Sequence, residues 1–209
     1  MLLYCVRHGE SLYNAEGRVQ GQSDVVLSDF GRRQGEAVAA ALAEKPLDAI
    51  YSSPLSRALQ TAEQVARRTG LPVRTDPRLK EVNAGIFQDR LRAELEREFP
   101  EELARWQSED LDYVIPGGES RRQLIARGRA ALESIARQQH RHAAVIAHGR
   151  LLIVALKDLL GLAPEQPPRS LQNGSITTLR GNAQGEFEAL AWDRVDHLDG
   201  VGLGGSGDL

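Results

Sequence analysis

The sequence predicts an α/β fold in which a mostly parallel sheet lies between two layers of helices. Short apolar runs rich in β-branched residues alternate with longer stretches of helical periodicity, which is typical of βαβ units. The 209 residues, 41% of them hydrophobic, can fill one three-layer α/β/α core and stay within the size of a single domain. We therefore expect one domain with one functional site.

The first 75 residues predict three short strands and the helix that follows the first of them. The strands are Leu2 to Val6, Ala49 to Tyr51 and Val73 to Thr75. A helix over Asp29 to Ala43 fits between the first two, because Ser28 is a suitable N-cap. Its predicted inner face carries Val38, Ala41 and Leu42.

A second helix is predicted after Pro54, a residue that suits the first turn of a helix. Apolar residues then recur at helical spacing, at Leu55, Leu59, Ala62 and Val65. Gly70 and Pro72 end this helix.

The middle of the chain departs from this alternation. Leu91 to Trp106 is charged, interrupted by proline and predicted to be helical in two parts. We interpret about residues 86–118 as an excursion over the sheet edge, of the kind that often forms a lid. The turn Pro116-Gly117-Gly118 ends it.

The second half returns to the βα pattern. It predicts a helix over Glu119 to Gln138, a central strand over Ala143 to Ala147 and a buried helix over Leu151 to Leu160. Ile176 to Leu179 and Phe187 to Ala191 predict a closing strand pair. We expect the domain to span residues 1–198 and the Gly-rich residues 199–209 to form a flexible tail.

The charge and cysteine content limit the classes of partner and compartment. A net charge of −3 with mixed signs gives no broad basic face for nucleic acid or an anionic membrane. No apolar run approaches the length of a membrane span, and the run before Arg7 is too short for a signal peptide. Cys5 is the only cysteine, so we expect no disulfide within the chain and a reducing, cytoplasmic location.

Histidine and arginine residues follow three of the predicted strands. Arg7-His8-Gly9 comes directly after the first strand, and His148-Gly149-Arg150 follows the strand Ala143 to Ala147. The carboxyl ends of parallel strands form the edge at which open α/β sheets bind ligands. Arg57 belongs to the first turn of the helix after the strand at Ala49, and a helix N-terminus favours anions. The sequence thus brings two arginines and two histidines to one edge.

These residue types suit phosphate. The guanidinium group of arginine can bond two phosphate oxygens at once and stays charged at any working pH. Histidine can act as a nucleophile or as a hydrogen-bond donor. Gly9 and Gly149 allow the backbone to approach a ligand closely, and their N–H groups can bind oxygen. The pattern therefore indicates a phosphate site.

Arg7-His8-Gly9-Glu10-Ser11 with Asn14 resembles the signature of the histidine phosphatase superfamily, which includes the cofactor-dependent phosphoglycerate mutases. The family's other motifs follow in order and at similar spacing: Gln20-Gly21, Asp24, Leu27-Ser28 to Gly31, Ser52 to Thr61, Glu81, Pro116 to Ser120 and His148-Gly149. The resemblance covers about residues 2–198. It implies a phosphoglycerate mutase-like fold and a small phosphorylated metabolite as the partner.

The resemblance also implies a role for each matching residue. His8 attacks phosphorus, and Glu81 is the general acid. The residues implied to bind the phosphoryl oxygens are Arg7, Asn14, Arg57 and His148, to which the residue chemistry above adds the Gly149 N–H. Gln20 and the backbone near Gly21 match positions that touch the rest of the substrate or a phosphate oxygen. No metal and no cofactor are implied, because the cationic side chains supply the positive charge.

Three functions remain open from the sequence. Hydrolysis of a small phosphate monoester through phosphohistidine is the leading hypothesis, and a mutase or a non-catalytic phospho-ligand-binding protein are the alternatives. Hydrolysis is preferred over mutase activity because Val82-Asn83-Ala84-Gly85 replaces the Arg-His-Tyr-Gly-type continuation of the mutases. The family pattern also changes at Gly85-Ile86-Phe87-Gln88-Asp89, which leaves the substrate open. The oligomeric state is not predicted.

Overall fold

The fold is known from a computed structural model that describes residues 1–203 apart from 109, 164, 165, 167, 169, 183 and 184. Its strands are β1 (Leu2–Arg7), β2 (Ala49–Ser52), β3 (Val73–Thr75), β4 (His142–Ala147), β5 (Ile176–Gly181) and β6 (Phe187–Arg194). They form one sheet in the order β3-β2-β4-β1-β5-β6. The first four of these are parallel to one another, and β5 pairs antiparallel with both β1 and β6. The predicted mostly parallel sheet is therefore confirmed.

Helices cover both faces of the sheet. The α-helices are α1 (Leu12–Glu16), α2 (Asp29–Ala43), α3 (Ser56–Thr69), α4 (Arg92–Glu98), α5 (Pro100–Gln107), α6 (Arg121–Ala136) and α7 (Gly149–Leu159). Short 3-10 turns occur at Pro77–Leu79, Gly85–Phe87 and Asp196–Leu198. One hydrophobic cluster joins α2 and α3 to the side chains of one sheet face, and a second joins α6 and α7 to the other. The three-layer α/β/α architecture follows from these two clusters.

Local chemistry explains where the helices begin. Ser28 Oγ accepts a hydrogen bond from the Gly31 N–H, so α2 starts where the N-cap predicted it. Helix α3 begins at Ser56, and Pro54 lies before it and not in its first turn. Helix α7 begins at Gly149, two residues earlier than predicted, directly after β4.

Some details differ from the predicted elements. Ala39 is fully buried on α2, whereas Ala41 is only partly buried. The buried arc of α2 includes Gly35, where the helix approaches Gln64 of α3, and Ala39 lies one turn further along that arc. The five-residue helix α1 was not predicted, because it carries too few residues for a periodic pattern.

The excursion over residues 86–118 is anchored in the main core. Phe87, Leu95 and Trp106 are fully buried and belong to the same cluster as Leu124 and Leu151 of α6 and α7. After the last 3-10 turn the chain continues to residue 203 in a hydrogen-bonded turn, and residues 204–209 of the predicted tail lie outside the described part.

The strand order places three loops side by side. β2, β4 and β1 are neighbours, with Ser52 paired to Ile146 and Arg7 paired to Ala147 near their carboxyl ends. The segments that follow these strands must therefore emerge at one edge of the sheet.

Candidate functional site

Two histidines meet at this edge. The ring centroids of His8 and His148 are 5.1 Å apart, with an angle of 63° between the ring planes. Both residues are buried, at 2% and 0% relative exposure. The segments after β1 and β4 are thus brought together as the sequence predicts.

The hydrogen bonds of His8 define which ring nitrogen carries a lone pair. Nδ1 lies 2.6 Å from the carbonyl oxygen of Gly9, which can only accept, so Nδ1 must donate. In the neutral ring this leaves the lone pair on Nε2. Arg57 Nε donates to this atom over 3.2 Å. His8 therefore presents an aligned nucleophilic nitrogen beside a guanidinium group.

The surroundings of His8 keep its imidazole neutral. Burial lowers the pKa of His8 well below its ordinary value, and the charges of Arg57 and then Arg7 lower it further. The Nδ1 bond to Gly9 opposes this shift only in part. A neutral imidazole is the form that can attack an electrophile.

His148 has one ring nitrogen engaged and one available. Nε2 lies 2.7 Å from Ser53 Oγ, and Ser53 Oγ already accepts from the Leu55 N–H, so its hydroxyl hydrogen can serve Nε2. Nδ1 is buried and has no hydrogen-bond partner within the described residues. Burial, followed by the charges of Arg57, His8, Arg127 and Arg7, lowers the pKa of His148 well below its usual range. His148 can therefore donate from Nδ1 while remaining neutral.

The two predicted arginines are almost fully buried, at 1% exposure each. Arg57 Nη1 and Nη2 donate to the carbonyl oxygens of Ser23 and Gly21 over 2.9 and 2.8 Å. Arg7 Nη1 donates to the carbonyl oxygen of Leu171. These backbone contacts fix both guanidinium groups beside the histidines, and the pocket is strongly cationic as a result.

Asn14 is oriented so that its amide nitrogen remains available. Its Oδ1 accepts from the Ser11 N–H over 3.1 Å and from Asn173 Nδ2 over 3.3 Å. Nδ2 is buried and lacks a hydrogen-bond partner among the described residues. Because a backbone N–H donates to this atom, Oδ1 must be the acceptor, and Nδ2 remains available as a donor at the site.

Gln20 and Gly21 lie next to these groups. Gln20 Oε1 accepts from Ser11 Oγ over 2.7 Å, and the Gly21 carbonyl holds Arg57. Gly21 has a positive φ of 52°, and a Cβ there would lie 2.5 Å from Gln88 Oε1. The loop after Asn14 is thus hydrogen-bonded to Arg57 at the site.

Glu81 reaches the N-terminus of α7, directly beside His148. Its Oε1 accepts from the backbone N–H groups of Val82 and Leu151 over 2.8 and 2.9 Å, and Oε2 accepts from the N–H of Arg150 over 3.1 Å. Its exposure is 8%. The Glu81 side chain is therefore fixed at the edge of the cationic pocket.

Gly9 is required by helix packing, whereas Gly149 lies at the start of α7. A Cβ on Gly9 would lie 2.3 Å from the carbonyl oxygen of Gly31, so the close approach of α2 requires glycine there, and no ligand need be invoked. Gly149 is the buried first residue of α7, and its N–H is one of the donors at that helix end that have no partner within the helix.

Asn173 and Ser53 are polar partners that the sequence reasoning did not single out. Asn173 Nδ2 donates to the carbonyl oxygen of His8 over 3.1 Å as well as to Asn14. The Asn173-Gly174 dipeptide before β5 was the available signal, because such pairs mark tight turns at strand ends. It lies 165 positions from His8, and only the fold brings the two together.

Two negative findings concern metals and membranes. Across the described residues no group of three or more His, Cys, Asp or Glu side chains is placed to hold a metal ion. Within the same part of the chain, no helix combines the length and hydropathy needed to cross a bilayer.

Comparison with known proteins gives a consistent result. A model of the histidine phosphatase superfamily (branch 1) matches residues 3–194. A glucosyl-3-phosphoglycerate phosphatase of Mycobacterium tuberculosis is 36% identical over 207 residues, which cover 93% of this chain and 92% of that protein. A probable phosphoglycerate mutase of Yersinia enterocolitica is 38% identical over 181 residues, with 84% and 82% coverage.

Solved structures resemble the fold as well. A mycobacterial glucosyl-3-phosphoglycerate phosphatase in complex with VO3 aligns with a TM-score of 0.83 at 32% sequence identity. The alignment covers 93% of this chain and 99% of that chain. The similarity therefore extends over nearly the whole molecule.

Proposed function

Because the chain belongs to the histidine phosphatase superfamily, we propose that it hydrolyses small phosphate monoesters and carries the phosphoryl group on His8 as an intermediate. One observation supports this most strongly. The lone pair of a buried, neutral His8 is aligned by Gly9, while two guanidinium groups and His148 surround it. Such a pocket supplies both a nucleophile and the charge that phosphoryl transfer needs.

In the first step the substrate dianion enters the cationic pocket. Arg7, Arg57, Asn14 Nδ2, His148 Nδ1 and the Gly149 N–H bind the phosphoryl oxygens. Arg57 Nε, which donates to His8 Nε2 in the free site, turns its hydrogen bond to a phosphoryl oxygen and releases the lone pair. The unpaired donors of Asn14 and His148 are satisfied by the same oxygens.

Attack then forms the nitrogen–phosphorus bond at His8 Nε2 and breaks the bond from phosphorus to the leaving oxygen. Glu81 acts in its protonated form and gives a proton to that oxygen, so the alcohol leaves neutral. Positioning and charge neutralisation carry most of the catalysis, because the transition state is loose. The donors that held the substrate now hold the phosphoryl group of phosphohistidine.

In the second step Glu81 acts as a general base. Ionised Glu81 accepts a proton from water, and the oxygen attacks phosphorus while the bond to His8 breaks. Inorganic phosphate leaves, Glu81 is protonated again and His8 returns to its neutral form. Atoms and protons balance over the cycle, with one water consumed for each ester cleaved.

We propose a phosphorylated glycerate or sugar derivative as the substrate. A relative similar over nearly the whole chain bears the name glucosyl-3-phosphoglycerate phosphatase. In this proposal Gln20 and the Gly21 backbone contact the leaving group. Residues 86–118 meet the same loop through Gln88 Oε1, which accepts from the Gln22 N–H over 2.9 Å. The excursion then acts as the cover of a single domain spanning residues 1–198.

A mutase reaction is the second candidate, because another relative is named a probable phosphoglycerate mutase. It would use the same phosphohistidine but pass the group to a second hydroxyl. The altered segment Val82-Asn83-Ala84-Gly85 favours water as the acceptor. We also propose a reducing cytoplasm as the location, since Cys5 is a free, buried thiol.

A substrate panel with chelator present separates these candidates. The esters are glucosyl-3-phosphoglycerate, 3-phosphoglycerate, phosphoserine, a sugar phosphate and α-ribazole phosphate, each assayed for free phosphate. The proposal expects release of phosphate, undiminished by the chelator, with a preference for one of the first two. In a second arm, 3-phosphoglycerate is supplied with a bisphosphate primer. Isomerised product without free phosphate would establish the mutase instead.

A further inference from the structure

Arg127 of α6 contacts the backbone of the segment that ends in Glu81. Its Nη1 donates to the carbonyl oxygens of Arg78 and Lys80 over 2.8 and 2.5 Å. Its Nη2 donates to the carbonyl oxygen of Glu81 itself over 2.7 Å. One guanidinium group thus binds three carbonyls within four residues.

The remaining N–H groups of Arg127 bind Glu119. Nε donates to Oε2 over 3.0 Å and Nη2 donates to Oε1 over 2.6 Å, which is a bidentate pair. The two side chains are 20% and 13% exposed. All five N–H groups of the guanidinium are therefore matched with an acceptor, an arrangement that lysine cannot reproduce.

Glu119 fixes the other end of the Glu81 segment. Its Oε1 also accepts from the Asn83 N–H over 2.7 Å, and its own N–H donates to the Asn83 carbonyl over 3.0 Å. The turn around Gly118 packs tightly here, because a Cβ on Gly118 would lie 2.2 Å from the Asn83 carbonyl oxygen. The Pro116 to Ser120 motif is thus hydrogen-bonded to Asn83, two residues beyond Glu81.

We propose that Arg127, with Glu119, is a positioning residue that sets the location of the Glu81 carboxyl group for proton transfer to the leaving oxygen. The inference rests on the proposed function, in which Glu81 is the general acid. The hydrogen bonds of Arg127 reach the Glu81 backbone and no reacting atom, so they act through Glu81. Its charge also lowers the pKa of His148, and Arg127→Lys keeps that charge while losing the full set of hydrogen bonds. The carboxylate must stay within hydrogen-bond reach of the leaving oxygen, and a shift of about 1 Å can cost about 10²-fold in rate.

The test uses two substrates that differ in their need for an acid. A dinitrophenyl phosphate expels a stable anion and needs no proton, whereas an alkyl phosphate such as 3-phosphoglycerate does. We expect Arg127→Met to lower kcat for the alkyl ester by about 10²-fold and to leave KM and the dinitrophenyl reaction within a few-fold of the parent. Glu81→Gln should show the same selectivity, with a loss of about 10²- to 10⁴-fold.

Matched controls distinguish positioning from general damage. Arg129 lies on the same helix and pairs with Glu133 and Asp158 at the surface, so Arg129→Met should leave both reactions unchanged. Arg127→Lys and Glu119→Gln keep part of the bonding and should lie between the parent and Arg127→Met. The double variant Arg127→Met/Glu81→Gln should be no slower on the alkyl ester than Glu81→Gln alone, because both changes remove one function.

Equal losses on both substrates in Arg127→Met and in the two milder variants would overturn the inference, since the phosphate pocket itself would then depend on Arg127. Multiplied losses in the double variant would do the same. Either result for the Arg127 variants leaves the proposed function intact, provided that Glu81→Gln slows the alkyl ester and spares the dinitrophenyl ester. A Glu81→Gln variant without selectivity would instead remove the general acid, and with it both proposals.

Discussion

At the scale of single residues, the site depends on two imidazoles that stay neutral in a cationic pocket. Burial and the charges of Arg57 and Arg7 lower the pKa of His8 and of His148. In the proposed mechanism, the arginines that neutralise a phosphoryl group therefore also keep the nucleophile unprotonated. The Gly9 carbonyl adds orientation, because it fixes the hydrogen on Nδ1.

These lowered pKa values make stability depend on pH. The unfolded chain protonates its histidines below pH about 6.5, whereas the folded state resists protonation at these two positions. The contribution of these two histidines to the free energy of unfolding is fully present above that pH. Below it, the free energy of unfolding falls by about 1.4 kcal/mol per pH unit for each histidine. Urea unfolding between pH 7.5 and 5 should show this decline. His148→Gln should show a slope shallower by about one proton, and an unchanged slope would contradict the assignment.

At the scale of elements, the N-terminal turn of α2 and the loop after β1 are built against each other. The Ser28 N–H donates to the Glu10 carbonyl, and Ser28 Oγ donates to Glu10 Oε1 over 2.8 Å. A Cβ on Gly31 would lie 1.8 Å from the carbonyl oxygen of Glu10. Helix α2 therefore helps to place the loop that carries His8, although it contributes no group to the pocket.

Gly31→Ala should disturb both folding and activity. The added methyl group meets backbone that cannot rotate away, so we expect a loss of about 2–3 kcal/mol in the free energy of unfolding. The phosphatase activity should fall as well. Gly35→Ala on the same helix meets only the flexible end of Gln64 and should change stability by less than about 1 kcal/mol. Equal effects of the two changes, measured by urea unfolding and by phosphate release, would be inconsistent with this contact.

At the scale of the whole molecule, the succession of the main strands and helices along the chain was predictable, and so was the edge of the sheet at which the site lies. His8 and His148 directly follow strands and Arg57 comes soon after a third, so the βα alternation predicts that all three lie at one edge of the sheet. The strand order that makes β2, β4 and β1 neighbours was not predicted. The supporting contacts were not predictable. Asn173 reaches His8 across 165 positions, and Arg127 reaches Glu81 across 46. Such contacts depend on how α6 and the loop before β5 pack, which no local pattern encodes.

The excursion over residues 86–118 shares the core of the domain, so it should unfold with the rest. Trp106 is 1% exposed in the main cluster, and Arg121 stacks on its ring at 4.7 Å. Trp106→Ala should reduce the free energy of unfolding by about 3–5 kcal/mol and keep a single transition. Circular dichroism and the fluorescence of Trp192 should report the same midpoint. A separate transition at lower urea concentration would show that the excursion unfolds independently of the rest of the domain.

Isolation of the phosphorylated enzyme tests whether His8 carries the phosphoryl group. Parent, His8→Gln and His142→Gln proteins are mixed with a substrate labelled in its phosphoryl group, quenched in alkali and digested, and the label is located by mass spectrometry. We expect label on His8 in the parent and in His142→Gln, and neither label nor turnover in His8→Gln. Turnover by His8→Gln at the parental rate, or label on a residue other than His8, would contradict it.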